Sequence, residues 1–143
     1  MKTILLLALA TTASAKERPP CVKVFVTTAG TPAGFTSPNK GTQDSSKDLV
    51  ASLGHHKTVC VTPDREKAAI VLEVLGRWKT TTFDARRYST VRVKFIFRDF
   101  ETELSGSERS GWSDGWDEVA DQIAEQVDRW VKDNRAKIDA PPN

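Results

Sequence analysis

The stretch TVRVKFIFR, residues 90–98, decides the fold. Val91, Val93, Phe95 and Phe97 alternate with Arg92, Lys94 and Arg98, the period-two pattern of a strand with one buried face. Working outward, Ala68 to Thr82 holds a longer strand centred on Val71-Leu72-Glu73-Val74-Leu75, and residues 83–87 turn the chain into Thr90 to Arg98. After a turn near 99–102, a weaker strand is expected over 103–109, where Gly106 and the serines mark an edge position or a bulge.

From Trp116, the apolar positions Val119, Ala120, Ile123, Ala124, Val127, Trp130 and Val131 recur at steps of three and four. That is an amphipathic helix, with Ser113 or Asp114 as its cap and Asp117 and Glu118 suiting the dipole of its first turn. Residues 136–143 read as a frayed tail. Upstream, Cys21 to Thr28 (CVKVFVTT) alternates as a strand, 28–44 reads as a Gly/Pro/Ser/Thr-rich loop, and Ser45 to Leu53 as a short helix with a capping-box-like Ser45–Asp48 start. Thr58 to Thr62 is a further short strand, closed by Pro63-Asp64.

The order β-α-β-β-β-β-α makes the first two strands parallel through a helical crossover and the later ones antiparallel. The expected fold class is α/β, bordering on α+β. It is a two-layer domain with a mixed sheet and its helices packed mainly on one face.

Met1 to Ala15 combines Lys2, a short apolar run and the small-x-small triplet Ala13-Ser14-Ala15, the parts of a secretory signal peptide cleaved after Ala15. One domain is expected over 16–135, secreted or periplasmic and soluble once the leader is removed. No later apolar run approaches the ~18 residues of a transmembrane span. Losing Lys2 leaves 20 basic against 19 acidic residues, and a charge so near neutrality argues against a general nucleic-acid binder.

The charged and stiff Lys16-Glu17-Arg18-Pro19-Pro20 ahead of Cys21 does not fit a lipid-modified cysteine, which needs small residues there. Cys21 and Cys60 are the only two cysteines. In an oxidising compartment they are expected to pair, stabilising the fold by ~3–4 kcal/mol on the chain-entropy view.

No catalytic or cofactor constellation stands out. His55-His56 with Cys60 lacks the second pair of ligands that a structural zinc needs and reads as turn residues. Gly30-Thr31-Pro32-Ala33-Gly34 lacks the Gly-Lys-Ser/Thr ending of a phosphate loop. The carboxylates Asp99 with Glu101 and Asp114 with Asp117 fall in turns or at a helix start. Metal and cofactor are therefore both read as none.

Two surfaces are candidates for binding. Strand alternation carried through from Glu73 puts Arg77 and Lys79 beside Arg92, Lys94 and Arg98, a basic face for an anionic polymer or lipid head groups. The 28–44 loop with Phe35, and Asp64-Arg65 after the second strand, leave the carboxyl ends of parallel strands, where ligands collect. A small secreted enzyme or inhibitor would use that loop. Trp116 and Trp130 read as core. Trp78 and Trp112 would mark a carbohydrate or partner surface if exposed.

The element order, the phrase Asp64-Arg65-Glu66-Lys67-Ala68-Ala69-Ile70-Val71-Leu72-Glu73-Val74, and the strand, acidic turn and Ser/Gly strand over 92–107 together resemble a group of small extracytoplasmic domains. These include the amino-terminal domain of the TolB translocation protein, the lipoprotein activators of penicillin-binding proteins and curli-secretion lipoproteins. The resemblance implies a non-enzymatic adaptor that docks onto another envelope protein. It carries over no individual residue.

Overall fold

The computed structural model describes residues 20–29 and 40–142. The expected leader, Ala15 and Phe35 lie outside the described residues. The elements are β1 (Val22–Thr28), α1 (Lys40–Leu53), β2 (Val59–Val61), β3 (Ile70–Thr81), β4 (Arg87–Phe97), β5 (Phe100–Arg109), α2 (Trp116–Asp133) and a short α3 (Arg135–Asp139), with a 3-10 turn at Arg65–Lys67. The five strands form one mixed sheet in the order β2-β1-β3-β4-β5.

β1 is parallel to both β2 and β3, while β3, β4 and β5 form an antiparallel meander. The parallel alignment of β3 with β1 departs from the expectation that all later strands run antiparallel. β2 ends at the height of Val24, where Thr62 N–H donates to the Val24 carbonyl, and β3 begins one rung away, where Ala69 N–H donates to Lys23. The chain therefore needs only the 3-10 turn to cross to the other side of β1, much less than a usual parallel crossover.

α1 and α2 pack on the sheet face that carries Val22, Val24, Ile70, Leu72, Val74, Val91, Val93, Phe95 and Phe97, and with Leu49, Leu53, Val119, Ile123, Ala124, Val127 and Val131 they form one core. α1 starts at Lys40, five residues ahead of the expected Ser45. Thr42, Ser45, Leu49, Ser52 and Leu53 recur at helical spacing on its buried face, so packing overrides the weak helix propensity of Gly, Thr and Ser. Ser45 is thus buried within the helix rather than capping it. α2 likewise has no side-chain cap: its N-cap is Gly115, at φ 74°.

The expected tail departs from 136–143 as well, because Arg135–Asp139 turn as α3 and Ile138 packs against the core. Arg98 holds this helix, its guanidinium donating to the carbonyls of Lys137, Ile138 and Ala140. Arg98 itself sits at φ 52° in a two-residue turn, since Phe97 already pairs with Phe100. β5 accordingly begins at Phe100, earlier than the expected 103.

β5 is an edge strand, as Gly106 hinted, but the irregularity lies in β3, between Val74 and Gly76. Gly106 serves helix packing. A Cβ there would stand 2.7 Å from the Val119 carbonyl oxygen. That close approach lets α2 cover part of the strand edge. The Gln122 side chain accepts from Ser107 N–H at 3.0 Å and donates to the Ser107 carbonyl at 3.1 Å, and Gln126 donates to the Ser105 carbonyl at 2.9 Å. The two glutamines stand in for a sixth strand at groups an edge otherwise leaves open.

Cys21 and Cys60 are joined, with Cα atoms 5.6 Å apart, and tie the start of β1 to β2. Close to the same strand ends, buried Asp128 on α2 accepts from Thr58 and sits 2.9 Å from Lys132 Nζ and 3.5 Å from His56 Nδ1. Burial alone would raise its pKa. The bonds from Thr58 and Lys132, with the charges of Lys132 and His56, outweigh that and hold the carboxyl below its ordinary value.

A depressed folded-state pKa contributes stability above the unfolded carboxylate pKa, and that stability is lost as pH falls through the folded value. Asp128→Asn is therefore expected to cost about 1–3 kcal/mol at neutral pH, with the gap to wild type closing in acid. Denaturant melts across pH check this, and a gap independent of pH would contradict it.

Candidate functional site

The irregularity in β3 redistributes the expected basic face. Val74 pairs with Val93, but Gly76 pairs with Arg92 and Arg77 with inward-facing Val91. The extra residue, Leu75, shifts the side-chain phase by one, as a bulge does. Glu73, Arg92 and Lys94 stay on the helix-free face, while Arg77 and Lys79 turn to the helix side. Arg98 leaves the face too, because its guanidinium is committed to α3. What remains is balanced: Arg92 pairs with Glu103 at 2.6 Å and Lys94 with Glu101 at 3.3 Å. The structure therefore does not assemble the five-cation surface, and a one-residue slip explains why.

On the helix side, Arg77 and Lys79 meet α1, α2 and the β5–α2 loop. The Arg77 guanidinium lies 4.4 Å from the centroid of Trp116 and 3.6 Å from Asp44. Lys79 Nζ is 2.6 Å from Asp114 Oδ1, which holds that exposed carboxyl below its usual range. Arg77, Asp44, Asp114 and Trp116 border a cleft of about 550 Å³ between the amino-terminal ends of α1 and α2, lined also by Lys47, Asp48, Ser113, Asp117 and Glu118. Trp116, expected in the core, is half-buried there.

The cleft lies at the carboxyl ends of β1, β3 and β5, the end where the parallel-strand rule places ligands. The residues singled out for that rule are not its lining. Phe35 lies outside the described residues. Asp64 is spent on the 3-10 turn, where its Oδ1 accepts from Glu66 N–H at 3.0 Å, and Arg65 is exposed on the same turn.

Asp48 is the carboxyl in the cleft that is shifted upward. Burial, then the charge of Asp117, push its carboxyl up, Arg77 opposes them, and Asp44 adds to the rise. A raised folded-state pKa means the folded protein binds more protons, so this group favours folding as pH falls and opposes it above the ordinary carboxylate range. Asp48→Asn is expected to raise the melting temperature at neutral pH and to leave it nearly unchanged in acid. A lower melting temperature at neutral pH would overturn this reading.

Among the described residues, no helix covers the other sheet face. In register across three central strands stand Phe25, Val71 and Ile96, each half-buried, with Leu75 at the bulge. Beside them the Trp78 indole, 44% exposed, lies against Gly76, where a Cβ would come within 3.2 Å of the ring. Arg92 sits 5.8 Å from that ring. Sequence reasoning gave this face its charges but missed its apolar row, because Val71 and Ile96 sit between residues read as core.

A further cavity of about 390 Å³ opens at the far end of the domain, against Phe97, Phe100, Trp130 and Asn134. The rings of Phe100 and Trp130 lie nearly parallel, with centroids 6.1 Å apart.

No protein-family model matches the chain, and neither does any curated protein. Among solved structures, it is similar to a PelC dodecamer from Paraburkholderia phytofirmans, at 14% identity and TM-score 0.48, covering 77% of this chain and 92% of that one. It is also similar to uncharacterized lipoprotein B from Nitrosomonas europaea, at 14% identity and TM-score 0.49, covering 82% and 89%. A minor lipoprotein from Acinetobacter baumannii matches at 20% identity and TM-score 0.42, covering 79% and 94%. Two of these three structures carry the name lipoprotein. At these identities the likeness is one of chain layout.

Proposed function

We propose that this chain is an exported, non-enzymatic envelope protein that works by docking a partner protein onto the helix-free face of its sheet. The observation that carries the reading is the half-buried row Phe25–Val71–Ile96 with Trp78 beside it. An apolar centre inside a charged margin of Lys23, Glu73, Lys94, Arg92, Glu101 and Glu103 is the anatomy of a protein–protein interface. The leader and the Cys21–Cys60 pair support export, since disulfides persist in oxidising compartments.

Affinity capture from envelope extract tests the reading. Wild-type protein is expected to retain one stoichiometric protein, and Ile96→Lys, at a half-buried position, to lose it while still folding cooperatively. Equal retention by both proteins, or none by wild type, would contradict the docking face.

A further inference from the structure

The two most exposed large apolar side chains among the described residues are Phe83 and Trp112, at 112% and 110% relative exposure. Neither ring touches the rest of the domain. They stand on different connections at the same end of the sheet, Phe83 on the β3–β4 turn and Trp112 on the β5–α2 loop. A single exposed aromatic is ordinary surface. A pair raised on two turns that are built onto one another is different.

Both turns are held by the sheet. In the β3–β4 turn, Thr82 N–H donates to the Arg86 carbonyl at 2.7 Å and Ala85 N–H to the Thr82 carbonyl at 2.9 Å. Ser110 N–H, which opens the second loop, donates to the Arg87 carbonyl at 2.8 Å, and Gly111 N–H to the Ser113 carbonyl at 3.2 Å. Ser89 Oγ donates to the Asp114 carbonyl, and Lys79 pairs with Asp114. The rings are therefore carried on an ordered platform.

Cations flank both rings. Arg86 pairs with Asp84 at 3.0 Å, while Arg87 and Arg109, at the ends of β4 and β5, are exposed and make no ion pair among the described residues. Aromatic rings projecting past a collar of arginines match the layers of a bilayer surface: rings at the head-group boundary, guanidinium groups among phosphates.

The geometry points to a membrane-contacting tip, in which Phe83 and Trp112 enter the head-group region of an anionic bilayer and Arg87 and Arg109 bind its phosphates. This goes beyond the docking face, which lies on the broad side of the sheet. The two surfaces allow the protein to hold a partner while resting on lipid.

Vesicle binding tests the tip, using protein purified after export through its own leader. Sedimentation with phosphatidylethanolamine/phosphatidylglycerol vesicles is expected, weakening as salt rises, with little binding to pure phosphatidylcholine. Tryptophan emission should shift to the blue on binding, and Trp112→Phe should abolish the shift while keeping most of the binding. Phe83→Ser with Trp112→Ser should reduce binding by about tenfold or more. Because neither ring packs on the fold, its melting temperature should match wild type. Absent vesicle binding, or undiminished binding by the double serine variant, overturns the tip. So does capture by dextran sulfate in place of vesicles, which would mark a polymer site.

Discussion

Gly106→Val is expected to cost the fold about 2–3 kcal/mol and to loosen α2 from β5. The Cβ would meet the Val119 carbonyl oxygen at 2.7 Å and a Val119 methyl at 3.0 Å. A backbone oxygen cannot swing aside as a side chain can, so the helix or the strand must move. Either movement withdraws Gln122 and Gln126 from Ser105 and Ser107, reopening a strand edge to which a second chain can add. The variant should therefore melt earlier and also self-associate. Gln122→Ala, which leaves Gly106 in place, should self-associate with a smaller loss of stability. Chemical denaturation and sedimentation velocity read the two effects. A Gly106→Val protein as stable and monomeric as wild type would show that the close approach does not matter.

The second large effect is the disulfide. Cys21 and Cys60 lie 39 residues apart, and replacing both with serine should cost about 3–4 kcal/mol by freeing that loop in the unfolded chain. For a domain of this size the midpoint should drop by on the order of 10 °C. The local reason is that β2 is three residues long and at the sheet edge, with β1 as its one strand partner among the described residues. Amide exchange should rise first in β2 and in the start of β1. If both stay protected in the double serine protein while the midpoint is unchanged, the bridge is not what holds β2.

Much of the architecture was legible because burial leaves a periodic trace. The alternation at Val91, Val93, Phe95 and Phe97 and the three-four spacing along α2 each describe one covered face, and both elements stand where the pattern put them. The pairing of Cys21 with Cys60 followed from compartment and count. What the sequence hid were places where local signals are weak or override one another.

The bulge at Leu75 is the most consequential of these. Continuing strict alternation from Glu73 moved Arg77 and Lys79 to the wrong face. Gly76 was the available signal, since glycine inside a strand often marks a bulge. The Arg98–Asp99 turn has no glycine, and it holds Arg98 at positive φ with three carbonyls that no local pattern foretells. α1 begins in a Gly/Thr-containing stretch that looks like loop, and its buried face becomes evident only once the sheet is beneath it. The cleft around Trp116 is assembled from α1, β3 and the β5–α2 loop, so no single stretch of sequence contains it.

The docking claim is tested most directly by site-specific photo-cross-linking in the producing cell. A benzophenone side chain would be placed at Val71 or Ile96 on the helix-free face, and at Glu125 on the exposed side of α2. The account predicts one discrete adduct of the same mass from Val71 and Ile96, and none from Glu125. An adduct from Glu125 alone, or none from either strand position, would contradict it.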